Sequence, residues 1–277
     1  MAMLPRPGRL LQMLMRGAEA LPLPEGATAI RDIAYGPAPA QCLDLYRPGN
    51  PAGPIMLIVH GGAWSIGDKA RPDVVAHKLA HWLPLGYVVA STNYRLLPAA
   101  DPITQARDVA RAIALLQLRA EEWGADARRL IVLGHSTGAH LAALLTADAD
   151  LAASGGAAPW LATVLLDSAA LDVVETLRGP HMPLHERAFG PNPAYWEQAS
   201  PLHRLREKAV PMLLVHAAAR RDSGEQARRF AAAALALGGR AEVLPVALSH
   251  AEINAQLGAD AAYTASVDAF LSSLELP

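Results

Sequence analysis

The chain has 277 residues, 52% of them hydrophobic and 18% charged, with a formal net charge of −2. That length suits one large α/β domain or two small ones, and the composition supports a sizeable buried core. Near-neutral charge, with no concentrated basic run, argues against nucleic acid or an anionic membrane as a partner. Cys42 is the one cysteine, which excludes an internal disulfide and a cysteine-based zinc or iron–sulfur centre and is compatible with a reducing cytoplasm.

Taken in order, residues 1–29 form an N-terminal segment. Its apolar run at 10–15 is broken by Gln12 and flanked by arginines, too short for a secretory core. It predicts an amphipathic helix packed on the domain. No stretch approaches the roughly 20 apolar residues of a membrane span, so a soluble protein is expected. Segments 30–35 and 41–46 bracket the turn Gly36-Pro37-Ala38-Pro39. Leu43 and Leu45 alternate with Asp44 and Tyr46, which predicts an antiparallel edge hairpin.

Apolar β-branched runs at 55–59, 87–91, 130–133, 161–166, 212–215 and 241–246 then predict buried strands. Between them, 74–82, 103–123, 139–147 and 224–237 predict helices, with Asp101-Pro102 as N-cap and first residue of the second. Continuous apolar strands alternating with helices indicate a mostly parallel sheet covered on both faces. No linker or repeat divides the chain, so 1–277 reads as a single domain. The segment 172–205, rich in Pro, His and aromatics, breaks the rhythm and is expected to form a lid or pocket wall near the strand ends.

The strongest chemical signal is Gly134-His135-Ser136-Thr137-Gly138, between a strand and a helix-like stretch. This is the setting of a nucleophile elbow, where a tight turn lifts the serine above the sheet. The helix that follows aims its N–H groups at developing negative charge. The second signal is His60-Gly61-Gly62-Ala63-Trp64 after an apolar strand. Acyl transfer needs N–H donors aimed at the oxyanion, and Gly61, Gly62 and Thr137 are the expected donors.

A base must follow, and there are ten histidines. His77 and His81 lack the glutamate of an H-E-x-x-H zinc site, and Pro183 separates His181 from His185. His135 and His140 flank the nucleophile as supports, and His60 lies in the glycine loop. His250, in Leu248-Ser249-His250-Ala251-Glu252 after the last strand, is the expected base. Asp222 is the expected acid, because it follows the strand before the histidine's strand. Asp167 and Asp172 also satisfy the Ser…Asp…His order. Asp222 could instead cap a helix beginning near Gly224.

From about Ile30 onward these motifs resemble the α/β-hydrolase superfamily, near the hormone-sensitive-lipase-like carboxylesterases and the kynurenine formamidases. Residues 60–64 are similar to the H-G-G-x-W/F oxyanion loop, Tyr94-Arg95-Leu96-Leu97-Pro98 to Y-R-L-x-P, and 134–138 to the elbow. Asp222-Ser223 and Ser249-His250-Ala251-Glu252 resemble the contexts of acid and base, and Phe189-Gly190 with Trp196 and Ser200-Pro201 the segment before the acid-bearing strand. Ala63 stands where the lipase branch has a third glycine, so only Gly61 and Gly62 carry over as donors from that loop. The resemblance implies an α/β-hydrolase fold and a Ser136–His250–Asp222 triad working without metal or organic cofactor. The expected substrate is a small to medium carboxylic ester, with an arylformamidase acting on an N-formylkynurenine-type amide as the alternative. A binding protein that has lost catalysis is disfavoured, since Ser136 and His250 are both present. Trp64, His135, Leu184 and Phe189 are the expected pocket residues.

Overall fold

Alternation at residues 41–46 produces the expected hairpin. In the computed structural model, which describes residues 21–51 and 53–274, β1 (Thr28–Ala34) pairs antiparallel with β2 (Cys42–Arg47) at the sheet edge. The helix expected within 1–20 lies outside the described residues. Six further strands follow: β3 (Gly53–Val59), β4 (Val88–Thr92), β5 (Ala125–His135), β6 (Ala162–Leu166), β7 (Met212–Ala217) and β8 (Ala241–Val246). The sheet runs β1-β2-β4-β3-β5-β6-β7-β8, and every pair from β4 to β8 is parallel.

Successive strand residues point to opposite faces, so each face needs its own cover. Leu57, Val59 and Val132 pack on one side with α2 (Pro102–Leu118), α3 (Thr137–Ala147) and α9 (Arg221–Ala236), through residues such as Ile113, Leu141 and Phe230. Met56, Ile58 and Leu133 pack on the other with α1 (Pro72–Trp82) and the C-terminal α11 (Ala261–Ser272), through Leu79, Trp82 and Phe270. Each such buried side chain contributes about 1.5–3 kcal/mol. This two-sided burial is why β4, β6 and β7 are buried at every position and read as unbroken apolar runs.

The helix expected over 103–123 is shorter. Asp101 caps it by accepting from the Thr104 N–H at 2.8 Å, but it stops at Leu118. A 3₁₀ turn, Ala120–Trp123, then drops Trp123 into the core before Gly124 reverses the chain. The segment 172–205 folds as four short helices: α5 (Val173–Arg178), α6 (Pro183–Phe189), α7 (Pro193–Gln198) and α8 (Pro201–Arg204). Its prolines open three of them, the position where a missing N–H costs nothing. α4 (Ala149–Ser154) and α10 (His250–Ala255) complete the helices. Among the described residues, no helix is long and apolar enough to cross a membrane.

Candidate active site

Parallel strands bring the carboxyl ends of β3, β5, β6, β7 and β8 to one edge, and the candidate residues gather there. Between β5 and α3 the chain turns at Ser136 with φ 55° and ψ −116°. A non-glycine residue in that region is strained by about 1–3 kcal/mol and needs its surroundings to hold it. The Ser136 N–H donates to the Leu166 carbonyl at 2.8 Å. Gly138 lets α3 close onto β3, because a Cβ there would overlap the Val59 and His60 carbonyls. Ser136 Oγ lies 3.1 Å from His250 Nε2.

His250 is the first residue of α10, whose start is fixed by a capping box: the Glu252 N–H donates to Ser249 Oγ at 3.3 Å, and the Ser249 N–H to the Glu252 carboxylate at 2.8 Å. At the other end of α10, the buried Lys78 donates to the Asn254 carbonyl at 2.6 Å and His77 to the Ala255 carbonyl at 2.6 Å. Burial pulls the Lys78 ammonium down to about 7. His135 Nε2 donates to the His250 carbonyl at 2.9 Å. Burial, with the neighbouring His250, brings His135 down to about 3, so its ring is neutral at pH 7.

The acid beside His250 is Asp167, which corrects the expectation of Asp222. Asp167 Oδ2 lies 2.7 Å from His250 Nδ1. The residue follows β6 at φ 50°, and its side chain is inaccessible to solvent. Its Oδ1 accepts from Ser223 Oγ at 2.7 Å and the Ala217 N–H at 3.1 Å, while Oδ2 also accepts from Arg220 Nη1 at 2.7 Å. Burial alone would raise its pKa. His250, Ser223 and Arg220 outweigh that and hold the carboxyl well below the usual range.

Asp222 is elsewhere because β7 ends at Ala217 and α9 begins at Arg221, so Asp222 sits in a helical first turn. Its side chain is 60% exposed and pairs with Arg220 Nη2 at 3.1 Å. Asp172 is occupied in capping α5 and pairing with Arg229. Ser223 is the half of the Asp222-Ser223 pair that reaches the site. Arg220 Nη1 also stands 2.9 Å from His250 Nδ1. Nδ1 must carry a proton for Nε2 to face the serine hydroxyl as an acceptor, and that proton goes to the carboxylate. Arg220 is therefore held through Asp167, as a positive charge against the imidazole edge.

The glycine loop lies across from the serine. Gly62 adopts φ 141°, where a Cβ would overlap the Ile66 carbonyl oxygen. The Tyr94-to-Pro98 segment props this loop, a role that the resemblance alone did not supply. Tyr94 stacks on His60 at 4.6 Å and donates to its carbonyl at 2.8 Å, and the Leu97 N–H and Gln105 Nε2 both donate to the Trp64 carbonyl at 2.9 Å. Arg95 grips the buried Asp108 with two bonds of 2.7 Å. Among the described residues, the backbone N–H groups of Gly61, Gly62 and Thr137 have no protein acceptor.

These residues surround a cavity of about 860 Å³ that Trp64, His135, Met182 and Leu184 also line. Phe189 does not line it, contrary to expectation: it is 2% exposed and packs edge-on behind Trp64, with ring centres 4.8 Å apart. The Trp64 indole donates to His140 Nδ1 at 3.2 Å, and His140 Nε2 donates in turn to the Ala199 carbonyl at 2.8 Å. Burial lowers His140 to about 4. Among the described residues, no group of three or more His, Cys, Asp or Glu could hold a metal ion.

Residues 43–159 match the BD-FAE family. Esterase LipQ of Mycobacterium tuberculosis is 31% identical over 212 residues, covering 69% of this chain and 48% of LipQ. Isoprenylcysteine alpha-carbonyl methylesterase ICME of Arabidopsis thaliana is 36% identical over 115 residues, covering 41% of this chain and 26% of that one. The chain thus spans a quarter to a half of the length of these curated relatives. Esterase B of Lactobacillus rhamnosis superposes with a TM-score of 0.74 at 18% identity, over 97% of this chain and 92% of that one. At that identity the likeness establishes the shared fold.

Proposed function

We propose that this chain, which belongs to the α/β-hydrolase superfamily, is a serine carboxylic ester hydrolase working through an acyl-enzyme. The observation that carries the reading is the continuous line from Ser136 Oγ to His250 Nε2 at 3.1 Å and from His250 Nδ1 to Asp167 at 2.7 Å. A buried anion holding the imidazole in the tautomer that faces a strained serine is the arrangement acyl transfer requires.

In the first step Ser136 Oγ bonds the ester carbonyl carbon while its proton passes to His250 Nε2. The N–H groups of Gly61, Gly62 and Thr137 take the oxyanion. As the tetrahedral adduct collapses, the carbon–oxygen bond to the alcohol breaks and His250 returns the proton to it. Water then attacks the acyl-enzyme, giving its proton to His250, and the acid leaves as Ser136 is reprotonated. Asp167 stays ionised throughout.

The cavity volume suits small to medium esters. Both arginines lining it are already bonded to carboxylates, Arg71 to Asp73 and Arg220 to Asp167 and Asp222, which favours neutral substrates over anionic ones. Relatives that are esterases favour esters over formamides for the same nucleophile. The buried thiol of Cys42 fits a cytoplasmic location. The test is a series of chromogenic esters of rising acyl length run beside N-formylkynurenine, with an organophosphonate as label. Ester turnover and a single adduct at Ser136 are expected. An adduct elsewhere, or formamide turnover exceeding that of every ester, would overturn the assignment.

A further inference from the structure

His185, on α6 beside Leu184, is 8% exposed and lines the same cavity as Ser136. Its ring lies against the Met182 carbonyl, with Nδ1 shut off from solvent and in no close hydrogen bond, while Nε2 is not sealed in this way and bonds to no protein group among the described residues. Its aromatic neighbours touch it only edge to face, Trp64 at 5.9 Å and His181 at 6.4 Å between ring centres. His135 and His140 spend ring nitrogens on the His250 carbonyl and on Trp64 and Ala199. His60 also leaves a nitrogen unbonded, but it lies outside the cavity lining. Among the described histidines, His185 is the one that combines burial, an unbonded Nε2 and a place in the cavity wall.

Burial is the main influence lowering the His185 pKa, with His181 and Arg220 adding to it against the Met182 carbonyl and Asp222. The ring is therefore neutral at pH 7, with one donor and one acceptor. Nδ1 is out of the cavity's reach, so Nε2 is the ring atom that a bound substrate can meet with a hydrogen bond. Trp64, which it abuts at 5.9 Å between ring centres, belongs to the loop that faces the serine, and both rings line the cavity into which Ser136 opens.

We propose that His185 is a specificity-determining residue that hydrogen-bonds a hydroxyl carried by the substrate away from the scissile bond, making hydroxylated esters the preferred class. A hydroxyl both donates and accepts, so it satisfies either tautomer of the ring. The inference rests on the ester hydrolase reading above and deepens it.

The test uses matched pairs that differ by a hydroxyl against a methyl group. 4-Nitrophenyl 3-hydroxybutyrate against 4-nitrophenyl 3-methylbutyrate probes the acyl side, and 2-hydroxyethyl butyrate against propyl butyrate probes the alcohol side. In wild type the hydroxylated member of one pair should win by about tenfold in kcat/KM, chiefly through KM. His185→Phe should erase that preference, and His185→Gln, which keeps a polar end, should retain most of it. No preference in either pair would overturn the proposal. So would an equal loss on both members in folded variants, which would make His185 a packing residue. Absence of turnover on all four esters and on 4-nitrophenyl butyrate would instead remove the ester reading and the proposal with it.

Discussion

The two sides of the candidate site are built differently. On the nucleophile side, Ser136 and the 60–67 loop are held by steric necessity: Gly138 and Gly62 stand where a Cβ would overlap backbone. On the acid side, three elements are joined by charge, as Asp167 after β6, Arg220 after β7 and His250 on α10 meet within 2.7–2.9 Å. Steric necessity leaves a local signature of glycines at fixed spacing. Long-range charge pairing leaves none. The difference also predicts distinct failures, with the first side losing rate outright and the second changing how stability depends on pH.

The largest effect is expected at Ser136. Ser136→Ala should lower kcat by on the order of 10⁶ with the fold intact by circular dichroism. Gly62→Ala should follow, at about 10²–10³ in kcat, because relieving the overlap with Ile66 moves the loop's N–H groups off the oxyanion. Retained activity there would separate the loop from the chemistry.

Arg220→Met sharpens the charge side. Removing the guanidinium takes from Asp167 Oδ2 a charged donor at 2.7 Å, so the carboxylate holds the imidazole less firmly. kcat should therefore fall by about tenfold, and Arg220→Lys should recover part of the loss. An unchanged kcat in folded Arg220→Met would remove Arg220 from the positioning of the acid. The same carboxylate links stability to pH. Asp167 has a depressed pKa in the folded state, so its contribution is present above the unfolded value of about 3.9 and is lost as the pH falls toward the folded one. Asp167→Asn should flatten the acid side of a Tm-versus-pH curve.

The smallest effects compare two residues of α6. Leu184→Ala should shift preference toward longer acyl chains by about tenfold. Phe189→Ala, behind Trp64, should cost about 3–5 kcal/mol of stability instead. A chain-length shift from a stable Phe189→Ala would return that residue to the pocket wall.

What the sequence displayed follows the same division. Strands buried on both faces show themselves as apolar runs, and the elbow shows its glycines. That sufficed to read the parallel sheet and to bring Ser136 and His250 together. The break after Leu118 was hidden because Arg119 and Ala120 keep a helical composition while Trp123 is drawn into the core. The four short helices in 172–205 were hidden by prolines that start helices as readily as they end them. Asp222 against Asp167 turned on where α9 begins. An early start at Arg221 takes Asp222 into the helix and gives its place to Arg220, and no local pattern announces a helix start opened by Arg220 without a side-chain cap.

The most direct test of this account is kcat for Asp167→Asn and Asp222→Asn, measured side by side on one ester with folding checked for both. The geometry predicts a loss of about 10³–10⁴ for Asp167→Asn, because the amide holds the wrong tautomer of His250, and less than about threefold for the exposed Asp222, whose bond is to Arg220. A larger loss at Asp222 than at Asp167 would contradict it.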